Sequence, residues 1–111
     1  MKIAIVTIGS ELLNGTRLDT NSKWIAQKVL PYDVEIVSKI SISDTNQDII
    51  NTLDYYISQS IDLIICTGGL GPTHDDVTAK TLYNYFEDTP IFDDDYWDIL
   101  RGKFEKRGYD I

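Results

Sequence analysis

Apolar and polar positions change period several times along the chain, and each change marks an element. Lys2 to Ile8 (Lys-Ile-Ala-Ile-Val-Thr-Ile) is almost continuously apolar and predicts a buried strand ended by Gly9. Val34 to Ile42 predicts a second strand, its outer half alternating as a strand nearer a sheet edge does. Ile61 to Thr67 predicts a third. Its run of Ile61, Leu63, Ile64, Ile65 and Cys66 suits a strand covered on both faces.

Between the strands the period becomes helical. Trp24, Ile25 and Val29 give one apolar face to a helix capped by Asp19, Thr20 or Asn21 and stopped at Pro31. Ile49, Ile50, Leu53, Tyr56 and Ile57 follow the i, i+1, i+4, i+7, i+8 pattern, with Asp44 or Thr45 as cap. A further helix is expected from about Asp76 to Phe86, with Thr81, Leu82, Tyr85 and Phe86 inward, broken at Thr89-Pro90. A last one starts at Asp93, Asp94 and Asp95, where negative charge meets the positive end of the helix dipole. Its face is Tyr96 or Trp97, Leu100 and Phe104. Lys103, Lys106 and Arg107 crowd its far end, and Gly108 closes it. The order β-α-β-α-β-α-α implies an α/β fold with a mostly parallel sheet and right-handed crossovers. Three strands make a small sheet, and a further strand is the natural next element. Residues 1–111 are therefore read as one domain, incomplete at its C-terminus.

Bulk properties narrow the function. A net charge of −8, from 18 acidic and 10 basic residues, argues against a nucleic-acid footprint. It also means that an anionic ligand needs local help from backbone dipoles or a metal. The single Cys66 excludes an internal disulfide and a cysteine-based zinc cluster. It lies in an apolar run and reads as a buried, inert thiol. No apolar run is long enough to span a membrane, and a reducing, cytoplasmic setting is the expectation.

The chemistry concentrates in the stretch from Asp62 to Thr78. Gly68, Gly69 and Gly71 follow the third strand at once, where glycine permits positive φ and close approach of a ligand to the main chain. Pro72 comes next, and Thr73 with Asp76 has capping-box spacing. A helix starting there aims unpaired N–H groups at the turn and makes an anion site. Asp75 and Asp76 set two carboxylates beside it, and phosphate with carboxylates implies a bridging divalent metal. No Gly-Lys-Ser/Thr is present, so this is not a P-loop. Position 74 is His74 rather than a third spaced glycine, so the dinucleotide fingerprint is not met.

In a parallel sheet the loops after each strand open on one edge. Those loops bring together Ser10, Glu11, Asn21, Asp44, Asp75 and Asp76 with the three glycines. Each has an ordinary reading beside the functional one. Asp44 and Asn21 suit helix caps, Glu11 a solvated loop charge, and His74 a solvent-facing loop residue.

At these residues the sequence resembles a known family. Ile8-Gly-Ser-Glu-Leu-Leu-Asn-Gly15, Asp19-Thr-Asn21 and Thr67-Gly-Gly-Leu-Gly-Pro-Thr-His-Asp-Asp-Val-Thr78 are similar to the N-terminal domain of CinA, the competence/damage-inducible protein. That domain falls within the molybdopterin-binding family of MoaB and MogA. The resemblance covers nearly the whole chain and implies a three-layer α/β/α domain with its pocket at the carboxyl ends of the strands. It further implies divalent-metal-dependent hydrolysis of ADP-ribose to AMP and ribose 5-phosphate. Ser10, Glu11, Asn21, Gly68, Gly69, Gly71, Pro72 and Thr73 would bind ligand. Asp44, Asp75 and Asp76 would be catalytic, and Asp44 and Asp76 would hold Mg²⁺, Mn²⁺ or Co²⁺; any of the three acids could instead be the base. Asp76 is the principal acid of its pair. The alternatives are a non-hydrolytic pterin-phosphate or nucleotide-binding module, as in molybdenum cofactor assembly, and an inactive oligomer-forming fragment. A homo-oligomer is expected. The amidohydrolase activity of a second domain that CinA proteins often carry is not expected of these residues.

Overall fold

The computed structural model describes residues 1–109. The elements are β1 (Lys2–Ile8), α1 (Ser10–Leu13), α2 (Thr20–Val29), β2 (Glu35–Ile42), α3 (Asn46–Ser58), β3 (Leu63–Thr67), α4 (Thr78–Tyr85) and α5 (Asp94–Lys106). All strand pairs are parallel and the sheet order is β2-β1-β3. The short turn of helix α1, inside the loop after β1, is an element the periodicity did not indicate.

β1 is central, and its sequence shows why. Residues from Ile3 to Ile8 are all buried. Side chains alternate across a strand, so burial of every position needs cover on both faces. Ala4, Val6 and Ile8 face Ile49, Leu53 and Tyr56 of α3 together with Ile42, with Ile64, Cys66, Leu82 and Tyr85 packed around them. Ile3, Ile5 and Thr7 are buried on the other side. Thr7 satisfies its hydroxyl on Ser41 Oγ at 2.6 Å, and Tyr56 meets Ser38 Oγ at 2.6 Å. The result is the α/β layering expected from the element order.

Several expectations are corrected. β3 is not covered on both faces: Leu63 is exposed and the rest only half-buried, because β3 is an edge strand. Trp24 is 61% exposed. Ile25 and Val29 do turn inward, joined by Ser22 and Ala26, while Trp24 lies under the Lys28 ammonium. Ile57 and Phe86, expected inward, are exposed beside the open side of β3. α3 is capped by Thr45, whose Oγ1 accepts from Asp48 N–H at 3.2 Å, and not by Asp44. α4 starts at Thr78 with no side-chain cap, two residues later than the capping-box reading placed it. Asp93 caps α5 by accepting from Tyr96 N–H at 2.9 Å. Among the described residues no helix is long and apolar enough to cross a membrane.

Candidate functional site

The turn after β3 is built on two glycines. Gly68 has φ 92° and Gly69 has φ 66°, values that side chains other than glycine adopt with strain. A Cβ on Gly68 would run into the Ile8 carbonyl oxygen, and one on Gly69 into the Thr78 hydroxyl. These close approaches tie the turn to the end of β1 and to the start of α4. Thr78 is the lock. It is fully buried, its Oγ1 donates to the Gly68 carbonyl at 2.8 Å, and its N–H donates to the Gly69 carbonyl at 3.2 Å.

The next residues form a self-contained turn. Asp76 Oδ2 accepts from Thr73 Oγ1 at 2.7 Å and from Thr73 N–H at 3.1 Å. Asp76 N–H donates to the Thr73 carbonyl at 3.0 Å. The capping-box spacing thus makes its side-chain bond, but to a turn lying before the helix. The Thr73 hydroxyl, then the Thr73 and Gly71 amides, hold the Asp76 carboxyl below its usual range. Asp75 points elsewhere, to His74 Nε2 at 3.3 Å on the open surface, where such a pair contributes little. Pro72 and Gly71 are exposed on the same turn.

The first two loops also meet. Ser10 Oγ donates to Asp44 Oδ1 at 3.3 Å, linking the loop after β1 to the loop after β2. Glu11 folds back beneath Gly9 and reaches Arg17 only at 4.0 Å. Asn21 is exposed in the first turn of α2, where Asp19 serves as the cap. Ser22 beside it is fully buried with its hydroxyl unpaired.

A cavity of about 330 Å³ opens between this turn and α4, lined by Asn46, Thr73, His74, Asp76, Val77, Lys80, Thr81 and Asn84. Its back wall is the bond from Thr81 Oγ1 to Asn46 Oδ1 at 2.6 Å, which joins α4 to the first residue of α3. Of the candidates, Thr73 and Asp76 line it. Asp44 and Ser10 pair with one another, while Glu11, Asn21 and Asp75 each stand apart. Thr78, Lys80, Thr81 and Asn84 were missed by sequence reasoning. One signal was available: Lys80 and Asn84 recur at four-residue spacing, which stacks polar groups along one side of a helix, and Asp76 precedes them by the same spacing in the turn before it.

The candidate acids are not gathered into one cluster. Among the described residues no three His, Cys, Asp or Glu side chains lie close enough together to hold an ion. The carboxylates of Asp44 and Asp76 are each occupied by a different hydroxyl. Within the chain alone, Asp44 and Asp76 are thus not drawn onto one common partner.

Parallel strands, with a glycine turn and a cavity at their carboxyl edge, place the chain in the α/β class, whose ligands bind at that edge. Residues 4–108 match the family described as a probable molybdopterin binding domain, and the chain belongs to that family. It is 44% identical over 94 residues to a CinA-like protein of Flavobacterium psychrophilum, covering 85% of this chain and 22% of that protein. It is 34% identical over all 111 residues to a CinA-like protein of Salinibacter ruber, covering 27% of it. The chain thus spans about a quarter of the length of these relatives. Among solved structures it resembles the protein CinA of Thermoplasma acidophilum, with a TM-score of 0.74 and 23% identity over 94% of this chain and 61% of that one. It also resembles MoaB, a molybdopterin biosynthesis enzyme of Thermus thermophilus, with a TM-score of 0.71 and 23% identity over 75% of this chain and 53% of that one. At such identities the likeness speaks for the fold.

Proposed function

We propose that this chain binds a phosphorylated nucleotide or pterin at the carboxyl edge of its sheet, and that its CinA-like form hydrolyses ADP-ribose to AMP and ribose 5-phosphate. The observation that carries the binding is the cavity itself. Its volume of about 330 Å³ lies at the lower end of the roughly 300–1,000 Å³ typical of small-molecule sites. Thr73, His74 and Asp76 of the turn that follows the glycines form one wall, and Lys80 supplies a cation in a chain of net charge −8. Lys80 and the start of α4 favour a phosphate. Asp76, held ionised, accepts hydrogen bonds from ribose hydroxyls or pterin N–H groups. A carboxylate so readily ionised is a poor proton donor near neutral pH and also a weak base. Its role in this reading is to orient the ligand.

The scattered acids favour the second reading, binding without hydrolysis. Mg²⁺, Mn²⁺ or Co²⁺ finds no three-acid set among the described residues, and no step is assigned to it. One experiment separates the two. The chain and Asp76→Asn are mixed with ADP-ribose, first in EDTA to measure binding by calorimetry, then with each metal to follow AMP. AMP release that needs Asp76 supports the hydrolase. Binding without release under every metal supports the module. Absence of binding in the wild-type chain rejects both.

A further inference from the structure

One hydroxyl proton at the back wall of the cavity has two acceptors within reach. Thr81 is buried, and its Oγ1 lies 2.6 Å from Asn46 Oδ1 and 2.7 Å from the Val77 carbonyl oxygen. A threonine hydroxyl carries a single proton. The Val77 carbonyl already accepts from the Thr81 N–H at 2.9 Å, the ordinary helical bond. Asn46 Oδ1 accepts from no other group among the described residues. The proton is therefore better used on Asn46, and the amide oxygen of Asn46 is taken up inside the wall. Its NH₂ group is left free, on a side chain that is exposed and lines the cavity.

We propose that Thr81 is a positioning residue that holds the Asn46 amide with its NH₂ towards the cavity, and that Asn46 together with Lys80 sets the preference of the site for a phosphate. This rests on the reading of the cavity as a site for a phosphorylated ligand. Donors and acceptors are then segregated across it. The helix wall offers the Asn46 NH₂ and the Lys80 ammonium, which enters no ion pair among the described residues. The facing turn offers the Asp76 carboxylate. A phosphate beside Asp76 meets like charge, whereas at the helix wall it meets donors, and hydrogen bonds to a charged group are the stronger kind. The ligand is thereby oriented, phosphate towards α3 and α4 and hydroxyls towards the turn. The ordinary role of the Thr81–Asn46 bond is a clamp between two helices. Asn46→Asp separates the two roles. It keeps an oxygen for Thr81 and puts an acid in the first turn of α3, where the helix dipole favours it, so a clamp survives. The two NH₂ donors do not.

The test is calorimetric titration of ADP-ribose, in EDTA, into the wild-type chain, Asn46→Asp, Gln47→Glu, Thr81→Val and Thr81→Ser, with urea unfolding of each. Asn46→Asp is expected to weaken binding roughly ten- to a hundredfold, the scale of one hydrogen bond to a charged group, with an unchanged unfolding midpoint. Gln47→Glu adds the same charge at the next residue of α3, also exposed, and is expected to weaken binding far less. Thr81→Val keeps the shape without the hydroxyl and is expected to weaken binding, and Thr81→Ser to recover it. In nitrogen-correlated NMR spectra the Asn46 NH₂ signals are expected to shift on addition of ADP-ribose. A loss in Asn46→Asp no larger than in Gln47→Glu, or Asn46 signals that stay in place, overturns the proposal and leaves the binding site standing. Wild-type affinity in Thr81→Val overturns the part given to Thr81. Should Thr81→Val not fold, Asn46→Asp and the NH₂ signals still decide. A wild-type chain that binds no ADP-ribose removes the site and the proposal together.

Discussion

Asp76 concentrates the residue-scale logic. Its place in the Gly-Gly-Leu-Gly-Pro-Thr-His-Asp-Asp motif marked it out, but the direction of its bonds was not legible. Spacing says that Thr73 and Asp76 are neighbours; it does not say where the helix begins. With the folded carboxyl held below its ordinary value, the stabilisation from Thr73 is present above the unfolded carboxylate value of about 3.9. It is lost as pH falls through the lower folded value. A carbon-detected NMR titration is expected to find the Asp76 midpoint below 3.9. Thr73→Val, which removes the hydroxyl and keeps the amide, is expected to raise it. A midpoint that does not move would show that the hydroxyl is not the main donor. Cys66, read from its apolar run as buried, is half-buried, and that burial pushes its thiol upward.

At the scale of elements, caps and faces decide the outcome. The sequence offers Asp44 and Thr45 as equal caps for α3. Thr45 takes the task because its hydroxyl reaches Asp48 N–H, which leaves Asp44 free to accept from Ser10. Thr45→Ala is expected to cost about 0.5–2 kcal/mol in urea unfolding. Asp44→Ala is expected to stay within about 0.5 kcal/mol of wild type, while releasing Ser10 and the loop after β1. Equal costs would contradict this division of roles. The face of α2 illustrates the limit of periodicity. Trp24 shares the apolar pattern with Ile25 and Val29, yet only the latter two, with Ser22 and Ala26, turn inward.

For the whole molecule, the consequential contact joins the turn after β3 to the end of β1. Gly68 sits against the Ile8 carbonyl, 60 positions earlier in sequence. Gly68→Ala must both hold φ 92° and push into that carbonyl, and is expected to cost at least about 1–3 kcal/mol. Gly102→Ala, within α5 and with open space at its Cβ position, is expected to stabilise by roughly 0.5–1 kcal/mol. Chemical denaturation of the two variants checks both, and a tolerated Gly68→Ala would mean that the turn can move away from β1.

Local pattern determined the strands, the four longer helices, their order and therefore a parallel α/β sheet, because burial periodicity and chain chirality act within short segments. It also determined the glycine turn and the acids around it, because backbone freedom and charge are properties of residue type. Only the tertiary structure decided which strand is central. β1 and β3 both read as apolar runs, yet pairing on two sides buries one and leaves the other at an edge. It also decided that Asp44, Asp75 and Asp76 each find a separate partner within the chain. Convergence at a sheet edge brings loops near one another. Where each carboxylate points depends on the hydroxyls and amides within about 3 Å of it, and no spacing in the sequence specifies those.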